Sequence, residues 1–83
     1  LEAFPALRLG FEAAAAGGTA GAVLNAANET AVDRFLKSDL RFDQIPTVVE
    51  AVMRHHDFEV SPTIPLLLKA DAWARKEAQA WTS

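Results

Sequence analysis

The sequence contains no cysteine and no tyrosine. Without cysteine, disulfides and thiolate metal sites are excluded, so a chain of 83 residues must gain its stability from helix packing or from a larger neighbour. Cysteine and tyrosine often serve as nucleophile or proton donor in enzymes, so their absence removes two candidates for catalysis. The lack of cysteine agrees with a reducing compartment, and we therefore expect a cytoplasmic protein.

Basic clusters and long apolar runs are missing as well. The 8 Lys and Arg are scattered among 11 Asp and Glu, which gives a formal net charge of -3. Because phosphate binding needs clustered basic residues, we expect no nucleic-acid partner. No apolar stretch approaches the roughly 20 residues that span a bilayer, and no secretory signal is present, so we expect no membrane contact. The chain opens with Leu1 instead of Met, and we expect it to be a piece of a longer protein.

Residues of high helix propensity fill most of the chain, and the few glycines and prolines divide it into helices. Four helices are predicted: residues 6–16, residues 20–37 after an N-cap at Thr19, a third from a cap at Asp43 to about His56, and a fourth from Pro65 or Leu66 to about Trp81. Residues 57–65 are predicted to be an extended connection. Short links make neighbouring helices antiparallel. The expected fold is all-α, a small four-helix up-and-down bundle that forms one domain over residues 1–83.

Apolar residues at three- and four-residue spacing predict which face of each helix is buried. For the second helix the stripe is Ala20, Leu24, Ala27, Ala31, Phe35 and Leu36; for the third it is Ile45, Val48, Val49, Val52 and Met53. Three acid-before-base pairs at four-residue spacing, typical of solvated helix faces, are Asp33 with Lys37, Glu50 with Arg54, and Asp71 with Arg75.

No arrangement of residues predicts catalysis. His55 and His56 are adjacent, so on a helix they point about 100° apart, unlike metal ligands three or four residues apart. Gly17, Gly18 and Gly21 lack the spacing and the lysine of a phosphate-binding loop. We therefore predict no catalytic, cofactor-binding or metal-binding residue in this chain.

The run Asn25 to Glu29 is the one local feature that helix packing does not require. On a helical wheel Asn28 falls inside the apolar stripe, flanked by Asn25 and Glu29, and a buried carboxamide needs a hydrogen-bond partner. Either Asn28 caps a neighbouring helix end or loop carbonyl, or the Asn–Glu face holds a ligand or another domain. The last helix carries a narrow apolar line made of Leu67, Ala70, Ala74, Ala78 and Trp81. Trp73 fits this line less well than Trp81 does, so Trp73 is a candidate contact surface.

Several segments together resemble one family. They are FPALRLGFEA at residues 4–13, GGT at 17–19, AVLNAANE at 22–29, LRFDQIP at 40–46 and ADAWAR at 70–75. These segments resemble the C-terminal helical domain of 1-deoxy-D-xylulose 5-phosphate reductoisomerase, and the LNAANE core is the most specific of them. The resemblance covers nearly the whole chain.

The resemblance implies an NADPH-dependent enzyme that requires a divalent metal, Mg or Mn, and is usually a cytoplasmic homodimer in bacteria. Such an enzyme rearranges and reduces 1-deoxy-D-xylulose 5-phosphate to 2-C-methyl-D-erythritol 4-phosphate in non-mevalonate isoprenoid biosynthesis. The family's NADPH-binding and catalytic domains lie outside this chain and would be its partners. The resemblance therefore implies a non-catalytic scaffolding domain with no cofactor of its own, in which Asn28 and Glu29 brace other domains.

Two other interpretations stay open from the sequence. One is a free-standing helical module that binds a protein partner through Trp73 or through the Asn–Glu face. The other is a bundle that binds a small molecule in a core cavity, because the many alanines could either line a cavity or allow close helix packing.

Overall fold

The computed structural model of the chain describes residues 17–82. Within that range the secondary structure is entirely helical: α1 spans Ala20–Leu36, a short 3-10 turn spans Phe42–Gln44, α2 spans Ile45–His55 and α3 spans Ile64–Ala80. The predicted all-α class is confirmed, and three of the four predicted helices are present. The other, over residues 6–16, lies outside the described residues.

The contacts between helix ends give the direction of each helix. Phe35, near the end of α1, lies edge-on to Phe42, just before α2, with ring centroids 5.6 Å apart. His56, at the end of α2, lines the same cavity as Thr19 at the start of α1. Arg34 reaches the last turn of α3. Helix α2 is therefore antiparallel to α1, α3 runs parallel to α1, and α1 contacts both of the other helices.

The core joins small residues of α1 and α3 to branched residues of α2. Alanines let α1 and α3 approach closely, and Val23 and Val48 are completely buried. Each fully buried valine contributes about 1.5–3 kcal/mol relative to an exposed one. The predicted inner face of α2 is confirmed. The buried core residues are Val23, Ala26, Ala27, Ala31, Leu40, Ile45, Val48, Val49, Val52, Ala74 and Ala78.

The predicted stripe of α1 is partly wrong, because the buried face is rotated by roughly 50° from it at 100° per residue. Val23 and Arg34 are buried, whereas Leu36 is 73% exposed and Leu24 is only half-buried. The rotation has a simple cause. Helix α1 is covered on two sides, by α2 and by α3, and its alanines fit the close approach better than its leucines do.

Two of the predicted helix caps act differently from the prediction. Thr19 precedes α1 as expected, but its Oγ1 accepts a hydrogen bond from the backbone N–H of Glu59 at 3.0 Å instead of capping the helix. Asp43 lies inside the 3-10 turn and pairs with Arg41 at 3.0 Å, so it does not cap α2. The N-cap of α3 is Thr63, whose Oγ1 accepts from the N–H of Leu66 at 3.3 Å.

A serine in the left-handed conformation ends α1. The N–H of Asp39 donates to the carbonyl of Arg34 at 2.8 Å, and the N–H of Ser38 donates to the carbonyl of Phe35 at 3.0 Å. This is the Schellman pattern, in which glycine is usual at the left-handed position, but here Ser38 has φ 62°. This C-terminal motif places Asp39 beside the last turn of α1, where its carboxylate accepts a hydrogen bond from Arg34.

We expect Ser38→Gly to stabilise the chain by about 0.5–1 kcal/mol, because glycine adopts a positive φ without the steric cost that a Cβ imposes. The measurement is urea denaturation followed by far-UV circular dichroism. Ser61→Gly, in the connection before α3, is the control and should not stabilise. Equal effects at both positions would contradict the strain at Ser38.

Candidate functional site

All three residues singled out in the segment Asn25 to Glu29 lie on the exposed surface of α1. The prediction that Asn28 is buried is therefore wrong. The rotated buried face is the reason, because its centre lies near Val23 and Ala27 and leaves Asn28 about 100° away. Its amide is available to a group outside the described residues instead of being used in the core.

Glu29 links α1 to α3. Its carboxylate accepts a hydrogen bond from Asn25 at 3.4 Å and lies 3.5 Å from the guanidinium of Arg75. Arg75 also donates to Asp71 at 2.5 Å, and that hydrogen bond raises the pKa of Arg75 above its ordinary value, with a smaller contribution from Glu29. Glu29 thus braces this chain internally, between two of its own helices.

One side of α1 is exposed and carries no charge. We call it the uncharged face; its members recur at three- and four-residue spacing and are Gly21, Asn25, Asn28, Val32 and Leu36. The exposed charged residues Glu29, Asp33 and Lys37 lie on the neighbouring side. A surface helix usually presents charge to water, so an exposed side of amide and apolar groups is typical of a contact surface.

Trp73 is half-buried and packs against the core, as Trp81 does. The free side of Trp73 lines a cavity of about 280 Å³ at the end of the bundle where α1 begins and α2 ends. Val23, Leu66 and Ala70 form its apolar wall with Trp73. We call this space the end cavity. Trp73 is therefore accessible through this recess.

The polar rim of the end cavity is formed by His55, His56, Asp57, Glu59 and Lys69. Each histidine has its Nδ1 next to a backbone carbonyl of α2: His55 at 2.7 Å from Ala51, and His56 at 3.0 Å from Met53. Across residues 17–82, no three histidine or acidic side chains are placed together to hold a metal ion. The described residues do not fit a metal centre, and no metal-dependent step is assigned to them.

Arg34 is the residue that sequence reasoning missed. Its side chain is 8% exposed, its Nε donates to Asp39 at 2.7 Å, and one terminal nitrogen donates to the carbonyls of Ala78 and Trp81, each at 2.8 Å. It therefore satisfies carbonyls at the end of α3 that have no partner within that helix. A signal was present in the sequence, because Arg34 follows Ala27 and Ala31 at helical spacing.

A family model described as the DXP reductoisomerase C-terminal domain matches residues 1–77. The chain belongs to this family. The curated relatives support the same assignment, since they are named 1-deoxy-D-xylulose 5-phosphate reductoisomerase. The protein of Rhodopirellula baltica is 59% identical over 92% of this chain. That of Acetivibrio thermocellus is 54% identical over 92%, and that of Halothermothrix orenii is 47% identical over 95%.

This reductoisomerase domain spans only a small part of those relatives: 17% of the Rhodopirellula protein, 20% of the Acetivibrio protein and 21% of the Halothermothrix protein. No solved structure matches the chain. None of the three described helices is both long and apolar enough to cross a membrane.

Proposed function

We propose that this chain is the scaffolding domain of a 1-deoxy-D-xylulose 5-phosphate reductoisomerase and holds the domains that carry the chemistry in their working positions. The observation that carries the proposal is the uncharged face of α1. It includes Asn25 and Asn28, which are exposed and therefore available to another domain. Glu29 supports that face from the side through its contact with Arg75.

The proposed parent enzyme converts 1-deoxy-D-xylulose 5-phosphate to 2-C-methyl-D-erythritol 4-phosphate with NADPH and a divalent metal, Mg or Mn, in isoprenoid biosynthesis. NADPH supplies the hydride and the metal polarises the substrate oxygens. Both belong, in this proposal, to the larger part of the enzyme outside this chain. The relatives, of which this chain matches about a fifth, support that division.

We also propose that residues 1–83 form a single domain, a four-helix bundle that includes a helix over residues 6–16. The parent enzyme is proposed to be a cytoplasmic homodimer without nucleic-acid or membrane partners. Trp73 is proposed to contact another part of the enzyme.

The activity of the parent enzyme is tested directly. The full-length protein should oxidise NADPH when given 1-deoxy-D-xylulose 5-phosphate and Mg or Mn, and the 83-residue chain alone should not. Turnover by the isolated chain would contradict a scaffolding role. A full-length reading frame without reductoisomerase activity would favour the free-standing interaction module.

The uncharged face is tested by placing one charge on it. In the full-length enzyme we expect Asn28→Asp to lower kcat about tenfold, a free-energy change of about 1.4 kcal/mol, because an unpaired carboxylate resists burial between domains. Gln79→Glu makes the same change of amide to acid on an exposed part of α3 and should change kcat less than about twofold. Steady-state kinetics of both variants is the measurement, and equal effects would contradict docking through this face.

A further inference from the structure

Arg75 joins α3 to the surface of α1 through two carboxylates. Its Nε donates to Asp71, one turn earlier on α3, at 2.5 Å, and a terminal nitrogen lies 3.5 Å from Oε1 of Glu29 on α1. A guanidinium is planar, so the hydrogen bond to Asp71 fixes the direction in which its other nitrogens can donate. Arg75 therefore holds the carboxylate of Glu29 in place from a different helix.

The carboxylate of Glu29 in turn orients the amide of Asn25. Its second oxygen, Oε2, lies 3.4 Å from the amide nitrogen of Asn25, one turn earlier on α1. An ionised carboxylate can only accept hydrogen bonds, so the NH2 group of the amide, and not its oxygen, faces Glu29. The amide oxygen Oδ1 then points away from Glu29. Among the residues that the structure describes, Oδ1 receives no hydrogen bond.

The orientation of Asn25 has a consequence for docking because Asn25 is exposed and belongs to the uncharged face. The terminal torsion of an asparagine side chain is broad, so an exposed amide without a neighbour presents its oxygen and its nitrogen in turn. Ordering such a side chain during association lowers affinity, whereas a side chain ordered beforehand avoids that cost. An amide held with Oδ1 outward is therefore suited to one kind of partner group, an N–H or O–H donor.

We propose that Arg75 is a positioning residue of the full-length reductoisomerase. Through Glu29 it holds the amide of Asn25 with Oδ1 outward, where Oδ1 accepts a hydrogen bond from the domain that docks on the uncharged face. Arg75 itself touches neither the substrate nor NADPH. This inference rests on the proposed function, because it requires another domain of the enzyme on that face.

The exposure of these contacts separates a positioning role from a structural one. The side chains of Arg75 and Glu29 are 42% and 51% exposed. Ion pairs at such exposure contribute little to stability, because water screens them and long side chains lose freedom when they are held. Loss of Arg75 should therefore change the activity of the enzyme more than it changes unfolding.

The first test compares two arginines by steady-state kinetics of the full-length enzyme. We expect Arg75→Met to lower kcat about fivefold and to change KM for NADPH and for 1-deoxy-D-xylulose 5-phosphate less than about twofold, because Arg75 contacts neither. Arg54→Met is the matched control. Arg54 also pairs with an acidic residue one turn earlier, Glu50, but that pair lies within α2 alone. It should change kcat less than about twofold.

Thermal unfolding of the same two full-length variants supplies the readout for stability. The unfolding midpoints of Arg75→Met and Arg54→Met should both lie within about 2 °C of that of the unaltered enzyme. A loss of kcat in Arg75→Met that accompanied a much lower midpoint would show that Arg75 acts on stability and would overturn the proposal. Equal kcat in the two variants would overturn it as well.

A double-mutant cycle tests whether Arg75 acts through Asn25. Asn25→Ala and Arg75→Met should each lower kcat about fivefold, and the double variant should also lose only about fivefold, because both changes remove the same oriented oxygen. A combined loss near the product of the two, about 25-fold, would mean that the residues act independently and would overturn the proposal.

Asn28→Asp, measured in the same assay, separates this inference from the proposed function. That variant places a charge on the uncharged face without touching the contacts of Arg75. If Asn28→Asp lowered kcat and Arg75→Met did not, docking through the face would stand and the role of Arg75 would be overturned. If neither variant lowered kcat, both the docking and the role of Arg75 would be overturned.

Discussion

Replacement of Arg34 by methionine should destabilise the chain by about 2–4 kcal/mol, because two carbonyls lose the donor that satisfies them. The carbonyls belong to Ala78 and Trp81, and each accepts from the same terminal nitrogen at 2.8 Å. Methionine keeps an unbranched side chain of similar length in the core, so most of the packing is retained. The expected loss therefore reports the hydrogen bonds more than the volume.

Arg41→Met is the matched control for this prediction. Arg41 pairs with Asp43 at 3.0 Å, but both side chains are almost three-quarters exposed, and exposed ion pairs contribute about 0–1 kcal/mol. Urea denaturation of the two variants, followed by far-UV circular dichroism, gives the comparison. If Arg34→Met cost no more than Arg41→Met, the link from α1 to the end of α3 would have no energetic importance.

Arg34→Lys tests the geometry of the same contacts. Lysine keeps the positive charge but has no planar fork that can donate to Asp39 and to the two carbonyls of α3 together. We expect Arg34→Lys to lose a substantial part of the stability that Arg34→Met loses. Full retention of stability would show that the charge alone is sufficient.

Helix α2 shows how much of this fold the sequence predicts. Its buried face consists of Ile45, Val48, Val49 and Val52. Because these residues are large, apolar and regularly spaced, their pattern identifies a single side of the helix as the buried one. The predicted end near His56 also agrees with the observed end at His55. The three acid-before-base pairs are present as well, with Asp33 and Lys37 joined at 2.9 Å.

Helix α1 shows why the same reasoning fails when the core is made of alanine. Alanine contributes little to a hydrophobic pattern, so the predicted buried side of α1 is determined mainly by Leu24, Phe35 and Leu36. None of these three residues is fully buried. The alanines mark the true interface because small side chains permit the close approach of α3. The same error misplaces Asn28, and Arg34 escapes the pattern because a charged residue is rarely fully buried.

Contacts between distant residues account for the other missed features. Arg34 and Trp81 are 47 residues apart, and Thr19 and Glu59 are 40 apart. Local spacing carries no information about such pairs, because they form only when separate helices pack. The amino-acid sequence therefore indicates function only through the resemblance of whole segments to a family, whereas the uncharged face and the end cavity become visible only in the fold.

The second large effect on stability is expected in the turn before α1. Two adjacent glycines there distinguish the conformational penalty of a positive φ from the cost of a steric clash. Both have positive φ, but a Cβ on Gly18 would collide with the carbonyl oxygen of Glu59, whereas a Cβ on Gly17 would have no atom of residues 18–82 within 4 Å. We expect Gly17→Ala to cost about 1–2 kcal/mol, the conformational penalty alone.

Gly18→Ala should cost about 3 kcal/mol or more, because it adds a steric clash with a backbone atom to the same conformational penalty. The clash separates Glu59 from Thr19 and breaks the two hydrogen bonds that join these residues at the end cavity. Amide hydrogen exchange should therefore show faster exchange at Glu59 and Thr19 in Gly18→Ala than in Gly17→Ala, beyond the difference in global stability. Equal losses of stability in the two variants would mean that the close approach of Gly18 to Glu59 does not constrain the turn, and that glycine is needed there for its backbone conformation alone.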